Sequence, residues 1–165
     1  LTPSAFSGPH QINRALHIAG GDVQATVRSL RERYSIAVWF WLGEASGASE
    51  RSGMIVTGPG GESLRAQQSA DHRVQLVLEE SSTLSAMRAD EWHLAILVRD
   101  GKEVRVHVDG QEKPEIARTL PVRSMGNRVS FGRGLQGKLD EIAVFGRVLT
   151  PAEIAGFWKI SRLGQ

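Results

Sequence analysis

FGRGLQGKLDEIAVFGRVLTPAEIAGFW, residues 131–158, brings three signals together: glycine punctuation, an apolar alternation behind an acidic pair, and one short helix. The helix is the most plainly written. Thr150 is a good N-cap, Pro151 suits the first helical position, and Glu153 completes a Thr-x-x-Glu capping box. Ile154, Phe157 and Trp158 then fall on one face, so the helix docks on something larger. Gly132, Gly134 and Gly137 spell G-x-G-x-x-G, but a dinucleotide fingerprint must open a helix inside a βαβ unit. A strand pattern follows here instead. The segment therefore reads as the close of a β-sandwich: Gly137 turns the chain into the last strand, Asp140 and Glu141 begin it, and Ile142 and Val144 alternate inward.

Upstream, the chain reads as strands separated by turns. The runs 14–21, 23–27, 33–44, 53–68, 72–80, 91–111, 127–134 and 137–147 carry the apolar patterning. Gly58-Pro59-Gly60-Gly61 is the strongest turn signal within them. A strand-to-strand spacing of about eight to twelve residues is that of an all-β sandwich. In YSIAVWFWL, the residues Ile36, Val38, Phe40 and Leu42 form one continuous apolar face, which belongs between two sheets. In the hairpin 91–111, Trp92, Leu94, Ile96 and Val98 share one face, and Val104, Val106 and Val108 share another. Matching these faces requires a three-residue loop, Asp100-Gly101-Lys102, with Val98 opposite Val104 and Ile96 opposite Val106. The expected core is Ile36, Val38, Phe40, Leu94, Ile96, Val106 and Ile142.

Composition narrows the function classes. At 165 residues, with 41% apolar and 23% charged side chains, the chain is expected to form a single domain, 1–165. No apolar run is long enough to span a bilayer. The formal charge is +2, and the basic residues, Arg28, Arg65, Arg99, Arg105, Arg123 and Arg128 among them, are scattered. Nucleic-acid binding calls for a concentrated stripe, so no nucleic-acid partner is expected. Without cysteine, disulfides and thiolate metal sites are excluded. A chain that opens on Leu1, without a leader pattern, reads as a piece of a longer protein.

ALHIAGGDV, YSIAVWFWL, EWHLAILVRDGKEVRVHVDGQ and GLQGKLDEIAVFGRVLTPAEI occur in that order. Together they resemble the LamG-like jelly-roll domains of the concanavalin A-like lectin/glucanase superfamily. The family pattern runs A-L-x-F-D-G, S-I-x-x-W-F, W-H-x-V-A, V-x-x-Y-V-D-G and G-x-L-D-E-V-x-x-Y-x-R-x-L-T-x-x-E-I. The resemblance extends from Ala15 to Trp158 and implies a two-sheet antiparallel jelly-roll sandwich with one short C-terminal helix. It also implies a glycan- or protein-binding module of an exported bacterial multidomain protein, or an architectural spacer beside the parent chain's other domains. Family members often hold calcium with rim acids. Here Ala19 stands in place of the F-D-G aspartate, so no cofactor is expected; Asp22 and Asp140 are the candidates should calcium bind.

The superfamily includes glucanases, whose carboxylates follow E-x-D-x-x-E. Retaining hydrolysis needs two carboxyl groups about 5–5.5 Å apart. In Lys138-Leu139-Asp140-Glu141-Ile142-Ala143, Lys138 and Ala143 occupy the glutamate positions, so no enzyme is expected. None of the histidines, His10, His17, His72, His93 and His107, shows helical metal-ligand spacing. The candidate ligand site is the outward face of YSIAVWFWL. There Ser35, Ala37, Trp39 and Trp41 leave room for a sugar to stack on indole, with His93, Arg105 and His107 as polar partners. Trp39 is alternatively a structural tryptophan covered by loops or by the terminal helix.

Overall fold

The computed structural model describes residues 15–28, 30–43, 51–122 and 126–161. Over these residues the strands are β1 (Leu16–Ala19), β2 (Val23–Thr26), β3 (Arg33–Leu42), β4 (Arg51–Thr57), β5 (Ser63–Gln68), β6 (Arg73–Leu78), β7 (Ser81–Ser82), β8 (Met87–Arg88), β9 (Trp92–Asp100), β10 (Glu103–Val108), β11 (Ile116–Thr119), β12 (Arg128–Phe131) and β13 (Gln136–Phe145). One helix follows, α1 (Pro151–Lys159). A six-stranded antiparallel sheet has the order β1-β13-β3-β9-β10-β11, and a seven-stranded sheet has the order β2-β12-β4-β5-β6-β7, with β8 also on β6. This is the jelly-roll sandwich expected. The short strands β7, β8 and β11 have no counterpart in the sequence reading. His10 and Arg123 lie outside the described residues.

Two apolar layers hold the fold. The inter-sheet core contains Ile36, Val38, Phe40, Leu42, Ile55, Leu64, Leu76, Leu78, Leu97, Val106, Phe131 and Leu139. A second layer covers the outer face of the six-stranded sheet: Trp39, Trp92, Leu94, Ile96 and Val98 pack with Leu149, Ile154, Phe157 and Trp158 from α1 and its approach. The central strands β3 and β9 are therefore buried on both sides. That is why their sequences read as continuous apolar runs rather than alternating ones.

The hairpin register differs from the sequence expectation. Asp100 pairs with Glu103, leaving a two-residue turn of Gly101 and Lys102, and Val98 pairs with Arg105 rather than Val104. Gly101 takes φ +62, which fits glycine at the first central position of a two-residue turn. Val104 faces Arg99 and Val106 faces Leu97. The inward row of β9 is thus Ala95, Leu97 and Arg99, while Leu94 and Ile96 lie under the helix. The three-residue loop fails because β9 has two apolar faces, and the bulkier one is not the one between the sheets.

Arg99 can point inward because it is neutralised there. Its guanidinium donates to a Glu62 carboxylate oxygen at 3.0 Å, and both side chains are fully buried. It also donates to the carbonyls of Pro121 at 3.1 Å and Leu120 at 3.4 Å. The Gly58–Gly61 turn closes over this pair. A Cβ at Gly58 would overlap the Glu62 carboxylate, so the glycine-rich turn seen in the sequence accommodates the ion pair. Burial, opposed by backbone bonding and by Arg99, leaves the Glu62 carboxyl above the usual carboxylate range.

The last strand also departs from simple alternation. Asp140 pairs with Trp39 and Ala143 with Ala37, so Glu141 and Ile142 together oppose one residue of β3. In this bulge Glu141 takes φ +46, and Ile142 is 36% exposed instead of buried. The extra residue switches the inward parity from Leu139 before the bulge to Val144 after it. Gly137 lies within β13 rather than at a turn into it. Its role is close approach, since a Cβ there would strike the Trp41 carbonyl.

Candidate binding site

The outward face of β3 is sealed over most of its length. Ser35 Oγ donates to the Arg147 carbonyl and accepts from the Leu149 N–H, both at 3.0 Å, which ties the segment before α1 to the sheet. Thr150 and Glu153 form the expected capping box. Arg147 donates two hydrogen bonds to the Glu153 carboxylate, at 2.9 and 2.6 Å. Arg147, Thr150 and Glu153 are the R-x-L-T-x-x-E residues of the closing motif, and they fix where α1 begins. The helix then lays Trp158 on Trp39, with centroids 5.3 Å apart and planes 13° from parallel. Trp39 is 1% exposed, so its ring offers no open face. Gly110, at φ +72, lets the hairpin's far turn pass beneath Trp158.

The three polar candidates do not assemble. Arg105 and His107 pair with Val98 and Ile96 and share the outer face, whereas His93 pairs with Phe40 and points inward. His93 Nδ1 meets Asp109 at 2.9 Å and Nε2 meets the Arg88 carbonyl at 2.9 Å, while Asp109 also accepts from the Leu94 N–H at 2.9 Å. The W-H and V-D-G motifs are thus one bonded unit that clamps the hairpin. Arg105 lies 3.9 Å from Asp100, and His107 bonds the Gln111 carbonyl at 3.0 Å.

These two histidines should give stability opposite pH slopes. Burial pulls the His93 pKa down, but the Asp109 bond and charge, the Arg88 carbonyl and the Glu91 charge more than offset this, so it stands above the ordinary imidazole value. Its contribution is full below about pH 6.5 and is lost as pH rises through the raised folded value. Burial and the Arg105 charge hold His107 below the ordinary value, against the Gln111 carbonyl. Its contribution is present above about pH 6.5 and is lost as pH falls through the lowered folded value. Melting temperatures from pH 6 to 9 are expected to decline for the parent protein, and the decline should be shallower for His93→Gln. Equal slopes would remove His93 as the cause.

Trp41, the other outward-facing tryptophan of β3, is half-buried at the edge of the outer apolar layer. It stands in a cross-strand row, His17–Lys138–Trp41–Trp92, that runs over β1, β13, β3 and β9. The Lys138 ammonium lies 4.5 Å from the Trp41 ring centroid, and the indole N–H is buried without an acceptor. Beside the ring opens a cavity of about 300 Å³, lined by residues including His17, Ala19, Trp41, Arg51 and Gln136. A neighbouring cavity of about 290 Å³ shares Arg51 and Gln136 and reaches into the mouth of the sandwich, between Leu42, Ala66, Gln68 and Leu135. The two adjoin at Arg51 and Gln136, along the rim of the sandwich. Arg51, Gln68 and Gln136 are not among the sequence candidates, and Lys138 appears there only as the residue in place of a glucanase glutamate. One signal was available: the inward row Leu64–Ala66–Gln68 ends on an amide instead of an apolar side chain.

The remaining candidates are dispersed. Asp22, just before β2, accepts from Gln24 at 2.9 Å and lies 3.9 Å from Arg133. Asp140, on the other sheet, accepts from the Glu141 N–H at 3.0 Å. Among the described residues, no group of three or more His, Cys, Asp or Glu side chains is placed to hold a metal. No described helix is long and apolar enough to cross a membrane.

Residues 19–155 match the family described as the concanavalin A-like lectin/glucanases superfamily. No curated protein matches the chain. Among solved structures, a native heptameric SAP-like pentraxin from Limulus polyphemus is similar at 12% identity and TM-score 0.63, over 89% of this chain and 82% of that one. Trypanosoma rangeli sialidase in complex with sialic acid is similar at 15% identity and TM-score 0.61, over 92% of this chain. The match spans only 28% of the sialidase. The binding domain of botulinum neurotoxin serotype D/C is similar at 12% identity and TM-score 0.51, over 78% of this chain and 36% of that one. At such identities the likeness is one of fold.

Proposed function

The chain belongs to the concanavalin A-like lectin/glucanases superfamily, and from that premise we propose that it is a non-catalytic binding module of a larger exported protein, taking a glycan at the rim beside Trp41. The observation that carries this reading is the contrast along β3. Helix α1 seals Trp39, whereas Trp41 borders an open cavity with an N–H that meets no acceptor among the described residues. A pyranose presents an apolar face to an indole and oxygens to its N–H. Lys138 then turns from the ring to a ligand oxygen. The sialidase and pentraxin likenesses support a binding role only through the fold, and fold alone does not choose a ligand.

Stacking on one indole is worth about 0.5–1.5 kcal/mol beyond area burial, so affinities in the micromolar to millimolar range are expected. A glycan array followed by titration tests this. Trp41→Ala is expected to weaken binding by about tenfold or more, once the lost apolar contact is added to the stacking, while the melting transition stays cooperative. Binding unchanged by the substitution excludes the Trp41 site. A folded protein that binds no polysaccharide favours the second reading, a protein-interaction or architectural module. That reading draws on the outer face of β5 and β6, where Arg65, Gln67, Arg73 and Gln75 border a trough of about 770 Å³ that no aromatic side chain among the described residues lines.

A further inference from the structure

We propose that the inner cavity takes the acetamido group of an N-acetylhexosamine, with Gln68 Nε2 donating to its carbonyl oxygen and Leu42, Ala66 and Leu135 enclosing its methyl. This rests on the glycan reading above and names the sugar class for the same rim.

Strand register puts an amide where an apolar side chain belongs. Leu64, Ala66 and Gln68 are the buried row of β5, and the first two belong to the inter-sheet core. Alternate residues of a strand line one face, so Gln68 is the last inward position of an otherwise apolar row. It is 1% exposed, lines the inner cavity, and its Nε2 meets no acceptor among the described residues. A buried N–H left unbonded costs free energy, and a ligand oxygen that accepts from it removes that cost.

The chemistry of that oxygen follows from its surroundings. The last torsion of a glutamine is broad, so rotation about it brings the NH₂ to the cavity side. Arg51 also lines the cavity but is already engaged within the fold. A carboxylate would accept from Gln68 as well, yet burying its charge beside leucine costs far more than burying a neutral carbonyl. A hydroxyl accepts from the same donor but brings a proton of its own that needs an acceptor. An amide carbonyl joined to a methyl meets both demands of the site, one hydrogen-bond acceptor and one apolar group.

Shape agrees with this assignment. The inner cavity, about 290 Å³, is near the lower size for a small-ligand site, which suits one substituted ring rather than a longer chain. Leu42, Ala66 and Leu135 give it apolar walls. Gly53 pairs with Ala66 and shares its face, yet carries no side chain into the space. A Cβ at Gly134 would meet nothing within 4 Å, so the cavity stays open on that side. An acetyl methyl packs on such walls, whereas a hydroxyl in its place loses water and gains no partner. Trp41 borders the adjoining outer cavity, where the next ring stacks.

Calorimetric titration of the whole chain with tri-N-acetylchitotriose and with cellotriose tests the proposal, because the two share ring, linkage and length and differ only at C2. The acetylated oligomer is expected to bind about tenfold or more tightly. Saturation-transfer NMR with N-acetylglucosamine and N-acetylgalactosamine, against glucose and galactose, covers both ring configurations, and the acetyl methyl should receive the strongest transfer. Gln68→Leu is expected to reduce the preference to about twofold or less, whereas Trp41→Ala should weaken both oligomers by similar factors. Gln68→Leu replaces an unbonded amide with an apolar group, so the protein should remain folded and the binding result stays interpretable. Equal binding within each pair, or a preference that survives Gln68→Leu, overturns the acetamido assignment and leaves the glycan reading intact. Failure of every acetamido sugar to bind, while a glycan array finds other ligands, does the same. An empty array, with protein that melts cooperatively, removes both. An N-acetylated dipeptide that binds as tightly and depends equally on Gln68 assigns the cavity to a peptide amide and overturns the sugar.

Discussion

Arg99→Ala is expected to destabilise the protein by about 3–5 kcal/mol at neutral pH, because it leaves Glu62 buried without its counter-charge. The pair lies wholly inside the sandwich, and the Leu120 and Pro121 carbonyls lose their donor at the same time. The cost should depend on pH in a defined direction. Glu62 already stands above the usual carboxylate range, from burial first of all, and loss of the arginine raises it further. An acid with a raised folded pKa weakens the fold above that value, and stability returns as pH falls and the carboxyl protonates. The variant should therefore recover relative to the parent on moving from pH 7 toward pH 4. Replacing both partners, Arg99→Met with Glu62→Leu, should restore much of the loss or exceed the parent, since buried ion pairs are often no more stable than apolar packing. Urea denaturation of the parent and the two variants checks this. A double variant as weak as the single one would show that the turn over Glu62, rather than the charge, carries the effect.

Trp39→Ala should cost a similar amount, about 3–5 kcal/mol, as a fully buried large-to-small change. The loss is expected to be local at first. Trp39 is the platform on which Trp158 and the outer apolar layer rest, so α1 should detach before the sheets separate. Hydrogen exchange of residues 151–159 would show this as faster exchange there than in β3 and β9. Trp39→Phe keeps most of the apolar volume and should lose less, while glycan binding, if centred on Trp41, should persist in it. Binding lost in Trp39→Phe but retained in Trp41→Ala would reverse the roles given to the two indoles.

The motifs that carry the family likeness prove to be mostly structural. His93 and Asp109 bond each other, Gly110 makes room for Trp158, and Thr150, Glu153 and Arg147 begin the helix. The rim residues Arg51, Gln68 and Lys138 lie outside those motifs or at their variable positions. A motif-led reading could describe the frame well and still miss the cleft. Candidate side chains on neighbouring strands converge only if register places them on one face, and His93 and His107 differ by that one step.

The sequence by itself determined the two-sheet sandwich, the antiparallel strands, the capped helix and the apolar character of both faces of β3. Each of these is local: a period of two, a turn of glycines, a Thr-x-x-Glu box, an unbroken apolar run. Which face of β9 meets the other sheet was decided only by tertiary structure. When both faces of a strand are apolar, alternation no longer distinguishes inside from outside, and the choice passes to contacts distant in sequence. Here Glu62 makes an inward Arg99 tolerable, while α1 covers Leu94 and Ile96. The bulge at Glu141–Ile142 is decided in the same way, by pairing with β3. The rim cleft exists because two sheets end together at one edge, and no single strand carries that information.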